Sequence, residues 1–170
     1  MSRWFLEPGH TAAEFRVRHM MVTHVRGHFK NVHGRLEFDP SRPEASTVTA
    51  TIDAKGLWSG EPDRDAHLRS ADFLDVIRYP TIVFRSTRVE QADGDHWKVT
   101  GDLTVRGTTR SVILDVQRST AEGSRAIAHA STTIDRRDFG MTYANFAVGK
   151  QVAITIDAIG ARTPADAPPW

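Results

Sequence analysis

Apolar and polar residues alternate with a period of two along most of this chain. Ala13, Phe15, Val17 and His19 alternate with Glu14, Arg16 and Arg18, and Val32, Gly34, Leu36 and Phe38 with His33, Arg35, Glu37 and Asp39. Val48, Ala50, Ile52 and Ala54 do the same among threonines and Asp53, as do Trp97, Val99, Gly101, Leu103 and Val105 from Lys98 to Arg106. A period of two places one kind of residue on each face of a strand. Further strands are predicted near 81–90, 109–118, 125–135 and 150–160. The eight strands each have one apolar and one polar face. That is the antiparallel signature, because parallel strands buried on both faces read as unbroken apolar runs.

Turn residues punctuate the pattern in "DPSRPEAS" (39–46), "QADGDH" (91–96), "VRGTTR" (105–110) and "AEGSR" (121–125). The last three are of hairpin length, so successive strands should pair. An eight-stranded meander with one wet face removes its exposed edges by closing. The predicted fold is therefore an all-β, eight-stranded antiparallel barrel. Gly34 and Gly101, inside apolar faces, suit barrel corners.

Two segments break the alternation and are predicted helical. "MMVTHVRG" (20–27) reads as a short helix after strand 1. "EPDRDAHLRSADFLDVIRYP" (61–80) reads as a helical lid between strands 3 and 4: Pro62 suits a first helical position, and Asp63 and Asp65 favour the positive helix start. Asp65 and Arg69 have ion-pair spacing, Asp72 could cap a second short helix, and Pro80 ends it. Leu68, Phe73, Leu74, Val76 and Ile77 give this segment an apolar underside. The predicted domain covers 1–161, and the proline-rich 162–170 is predicted to be a flexible tail.

Composition narrows the chemistry. The chain has 170 residues, 25% of them charged, and a net charge of +1, so the overall balance gives no electrostatic case for nucleic acid or an anionic membrane surface as a partner. There is no cysteine, hence no disulfide or thiol chemistry. "MSRWFLEPGH" has no apolar h-region and no run of 18 apolar residues exists. The expectation is a cytoplasmic protein without an integral membrane segment.

Five blocks, in order, resemble the YceI-like family of lipocalin-like, polyisoprenoid-binding proteins. They are "WFLEPGHT" with "FRVRH" (4–19), "VRGHF…GRLEFDP" (25–40), "RDAHLRSADFLDVIRYPTIVFRST" (64–87), "VTGDLTVRGTTR" (99–110) and "IDRRDFG" (134–140). Glu7 and Thr11 stand where Asp and Ser are commoner in the family. The resemblance implies an extended barrel around an elongated apolar cavity, holding a long isoprenoid or isoprenoid-quinone-like lipid with no covalent cofactor, and a possible homodimer. Many relatives are periplasmic, a location not carried over here. The lining expected for such a cavity is Phe15, Val17, His19, Leu36, Phe38, Leu68, Phe73, Phe84, Trp97, Val99, Leu103, Phe139 and Met141. Small inward residues (Ala13, Gly34, Ala50, Ala54, Gly101) agree with a hollow interior.

Two other chemistries have local support. Asp63, His67 and Ser70 would share a helix face as acid, base and hydroxyl, the outline of a small hydrolase. A triad also needs a strained nucleophile turn and oxyanion donors, and no Gly-rich turn accompanies Ser70. Arg64 and Asp65 read better as ties between helix and barrel wall. His10, His19, His24, His28 and His33 crowd the first 33 residues, the composition of a His-rich metal-binding protein, yet Gly27 separates His24 from His28. His19 reads first as a core histidine, and second as a contact for a ligand's polar head. The expectation is a binding protein, not an enzyme, with no catalytic residue and no metal.

Overall fold

The alternating faces are realised as one antiparallel sheet in a computed structural model that describes residues 2–163, with the backbone alone at 120–122. The strands are β1 (Ser2–Leu6), β2 (Ala12–His19), β3 (Thr23–Phe29), β4 (Val32–Phe38), β5 (Thr47–Asp53), β6 (Leu57–Trp58), β7 (Thr81–Asp93), β8 (His96–Val105), β9 (Thr108–Glu122), β10 (Arg125–Asp135) and β11 (Val148–Arg162). Strands β1, β4, β5, β7, β8, β9, β10 and β11 pair in that order, and β11 closes on β1 through Trp4↔Arg162 and Leu6↔Gly160. The barrel therefore has eight staves.

Three staves are interrupted, which is why there are more strand segments than staves. Beyond β1 the same line along β11 is taken up by β2, with Phe15 opposite Ile154 and Val17 opposite Val152. Pro8 lies in the gap, where it has no N–H to give the ladder. In the same way β3 is the extension of β4, and β6 of β5. Among the described residues the two-residue β6 pairs only with β3, so the wall is open between β6 and β7.

That opening is filled by α1 (Pro62–Arg69) and the turns after it. Beneath them lies a buried cluster that includes Phe29, Leu57, Val76, Ile82, Val105 and Phe139. The buried Asp65 carboxylate accepts from Ser59 N (2.9 Å) and from the Ser59 hydroxyl, while Arg64 donates to Ser59 O at 2.7 Å. Arg69 donates to Lys55 O (3.1 Å) and to Leu57 O, fastening the helix to the wall. Those bonds engage both members of the expected Asp65–Arg69 pair, and no such ion pair forms.

The helical readings need two corrections. There is no short helix after strand 1: Met20–Val22 is a hairpin turn and the chain re-enters the sheet at Thr23 as β3. The apolar run Met20-Met21-Val22 hid the period-two row Val25, Gly27 and Phe29. The lid is one helix of eight residues, not two; residues 71–74 and 76–78 are turns, and Asp72 binds His67 instead of capping. In addition, Ser2–Leu6 forms β1, a strand that the alternation does not predict. The sheet extends to Arg162, and Thr163 N donates to Arg3 O at 2.9 Å, while the rest of the expected tail (164–170) lies outside the described residues.

Gly101 sits opposite Ser86, where the β7–β8 register shifts. A Cβ there would lie 2.5 Å from the Arg85 carbonyl and from Phe84 Cζ, so the ring folds over the glycine into the interior. Backbone cannot yield as a flexible side chain does. Gly101→Val should therefore destabilise the barrel by about 1–3 kcal/mol, the usual cost of overpacking, read as a lower midpoint in urea unfolding.

Candidate functional site

A side chain pointing into a filled barrel is buried, whereas one bordering empty space is not. Along β9 the inward Val112, Leu114 and Val116 are only half-buried, while the alternate Ser111, Ile113 and Asp115 are exposed. The interior holds a cavity of about 720 Å³, within the roughly 300–1,000 Å³ of ligand pockets. Its walls are the inward faces of the staves and are almost wholly apolar. One side is built of small residues, Ala126, Ala128, Ala130, Ala158 and Gly160, and this is what leaves room.

The predicted lining residues distribute as follows. Phe15, Val17, His19, Leu36, Phe38, Leu68, Phe73, Phe84, Trp97, Val99, Leu103 and Met141 all border the cavity. Phe139 does not; it is 1% exposed, in a 3₁₀ turn packed into the buried cluster beneath the helix. Phe38 and Trp97 meet edge to face, ring centres 5.2 Å apart, at the end away from the helix. His19, at the last position of β2, is exposed at the rim and is not a core histidine.

At the helix end three rings form a triangle. His67 lies 5.1 Å from Phe73 and 5.0 Å from Tyr143, and Phe73 lies 5.5 Å from Tyr143, all edge to face. The His67 ring is held by Asp72 Oδ2 at 2.8 Å from Nε2. The Ser70 hydroxyl donates to the His67 backbone carbonyl at 2.6 Å, and Asp63 is exposed. The acid–base–hydroxyl row is thus not assembled: the histidine's acidic partner is Asp72, and the hydroxyl caps the helix end.

The histidines do not converge either. His24 and His28 lie on β3, His33 on β4 and His10 in a turn beside Glu7, with His28 packed on Trp58 (5.0 Å). Among the described residues no three His, Asp or Glu side chains form a group that could hold a metal.

One residue that shapes the site was missed. Arg136, only 3% exposed, borders the cavity and donates to Gly149 O (2.9 Å), Met141 O (2.7 Å), Tyr143 O (2.9 Å), Val148 O (2.9 Å) and Asn145 Oδ1 (3.3 Å). Burial draws its pKa down from the ordinary value, but a guanidinium keeps its proton. It is a buried cation neutralised by carbonyl dipoles, and it shapes the loop that forms one side of the mouth.

Its neighbour Arg137 turns outward to Asp135, Nη2 to Oδ2 at 2.6 Å. Chiefly through that hydrogen bond, the Asp135 carboxyl is lowered from 3.8 to about 2. A depressed carboxyl contributes stability above its unfolded pKa and loses it as the pH falls through the folded one, here between 3.8 and about 2. In an NMR titration Asp135 should show a midpoint near 2, returning toward the usual range in Arg137→Ala.

The profile of the YceI-like domain matches residues 4–159. A "UPF0312 protein" of Pseudomonas putida is 35% identical over 140 residues, covering 79% of this chain and 73% of the relative. The solved structure of Burkholderia cenocepacia BcnA superposes with a TM-score of 0.85 at 22% identity, covering 91% of this chain and 98% of the other. A polyisoprenoid binding domain from Saccharophagus degradans, implicated in plant cell wall breakdown, superposes with a TM-score of 0.72 at 14% identity, covering 94% and 98%. At these identities the two structures speak for the barrel. Among the described residues no helix is long and apolar enough to cross a membrane.

Proposed function

This chain belongs to the YceI-like family, and from that premise we propose that its barrel binds one long isoprenoid lipid, a polyprenyl or isoprenoid-quinone-like chain, in the central cavity. The observation that carries the reading is a cavity of about 720 Å³ walled by apolar side chains along the barrel. The description of the Saccharophagus degradans domain as polyisoprenoid binding supports it.

Each buried CH₂ contributes roughly 0.8 kcal/mol, so a five-carbon unit gives on the order of 3–4 kcal/mol gross. A few such units exceed an association cost of roughly 4–15 kcal/mol without polar help. Affinity then grows with chain length until the cavity is full, and selection is for slimness and length. Arg64, His67 and Tyr143 border the cavity at the helix end, and a polar head group at that end would meet them. Holding such a chain needs no nucleophile, base or metal, and the role is that of a binding protein, not an enzyme.

The test is mass spectrometry of an organic extract of the purified protein, which should contain a prenyl chain of fifteen or more carbons. Leu68→Asp places a carboxylate against that chain, where it stays unpaired or must take up a proton, so recovery per mole of folded protein should fall sharply. Ser70→Ala should leave recovery unchanged, since that hydroxyl is turned to a backbone carbonyl. Equal recovery from both variants, or extracts without any long chain, would sink the proposal.

A further inference from the structure

We infer that the mouth of the cavity is also a docking surface for an anionic lipid bilayer, inserted through Met20, Met21, Val22 and Phe146 and held by Arg16, Arg18 and Arg26. The four apolar side chains are 59%, 77%, 82% and 95% exposed. They lie on two adjacent loops, because Met20 N donates to Ala147 O at 2.8 Å. The first loop has φ of 52° at Met20 and 66° at Met21, the left-handed region where Gly or Asn is the inexpensive residue. Two long apolar side chains occupy those positions and point to no protein core. The same two loops and the strand ends that carry them reach the cavity: His19, Ala144, Ala147 and Val148 border it.

Charge identifies the occupant. Arg16 and Arg18 on β2 are exposed and stand directly across from Arg26 and His24 on β3. Like charges opposite one another destabilise a sheet, and none of the three arginines makes an ion pair among the described residues. The whole chain has a net charge of only +1, so this cationic strip is a local feature. Arg18 is two residues from the exposed methionines, and Arg16 is about 13 Å from the tip along the strand. Apolar residues at the tip with cations set back by that distance fit acyl chains beneath anionic head groups. A second copy of this chain on the same face would bring two such strips together, which charge disfavours. The surface goes beyond the cavity's ligand and does not depend on which lipid fills it.

The experiment is co-sedimentation of the full chain with vesicles of phosphatidylcholine alone or mixed with phosphatidylglycerol. Wild type should partition into the mixed vesicles on the order of 10²-fold more strongly than into the neutral ones, and lose that preference in 0.5 M salt. M20N/M21N/F146S, in which asparagine accepts the left-handed backbone, and R16Q/R18Q/R26Q should each fall to background while keeping the wild-type circular dichroism. Wild type that fails to pellet with the mixed vesicles overturns the inference, as do variants that pellet equally. So does a wild-type dimer that the apolar triple variant dissolves while vesicle binding is absent. A158F, which blocks the cavity, must still bind vesicles. Vesicle binding without any extractable chain would sink the cavity proposal and leave this one standing, and the converse would do the reverse.

Discussion

Replacing Arg136 with methionine is expected to lower the melting temperature by roughly 5–20 °C and to free the 141–149 loop. The guanidinium is the shared donor for the carbonyls of Met141, Tyr143, Val148 and Gly149 and for the Asn145 side chain. Methionine fills similar volume and donates nothing. Leaving two of those carbonyls dry costs about 1–3 kcal/mol each, and about 2–4 °C is lost per kcal/mol in a chain of this size. The relief of no longer burying a charge offsets part of this, which brings down the upper end of the range. Arg136→Lys should recover little, because an ammonium has three donors on one centre and cannot span acceptors that a planar fork reaches on several sides. Calorimetry gives the melting temperature, and amide exchange at 141–149 locates the loosening. A loss of stability without faster exchange there would show that the arginine does not hold the loop.

Filling the cavity from its small-residue side should abolish retention of long chains and leave the fold intact. Ala158 on β11 faces Ala128 on β10, with Ile156 and Gly160 as its neighbours on the inward row. Ala158→Phe projects a ring into open space, not into a packed neighbour. The ring displaces about one five-carbon unit, worth on the order of 3–4 kcal/mol. At 1.4 kcal/mol per tenfold, affinity for a chain that fills the barrel should fall roughly 10²- to 10³-fold. A chain short enough to avoid the ring should bind as before. The melting temperature should not fall, since the ring gains contacts that the cavity wall lacked. Titration with prenyl alcohols of graded length is the measurement. A uniform loss at every length would point to a distorted barrel, and no loss at any length would place the ligand elsewhere.

The antiparallel barrel was legible in the residues because alternation is a local property. Each strand declares its two faces, and eight such strands have few ways to protect their edges. The five blocks pointed to the same architecture. Local pattern misled where it was ambiguous: Met20-Met21-Val22 hides the period, so a hairpin and the strand after it read as helix, and the interrupted staves add β1 and β6 as unforeseen segments. The likeness of Asp63, His67 and Ser70 to a catalytic row was likewise a matter of spacing. In the folded chain Asp72, from the following turn, takes the histidine, and the serine turns to the backbone.

"IDRRDFG" shows where local reading stops. Arg136 and Arg137 are identical in chemistry and adjacent in the chain, and no periodicity separates them. A 3₁₀ turn over Arg136–Phe139 sends one inward to four backbone carbonyls and the other outward to Asp135. Which arginine is buried depends on where residues 141–149 return, a contact made by closure of the barrel. The hollow interior is of the same kind. Alternation says which side chains face inward, but whether they meet in the middle depends on barrel radius and on the sum of volumes contributed by eight staves. Face and order are therefore written in the neighbouring residues, while burial of a charge and emptiness of a core are properties of the closed assembly.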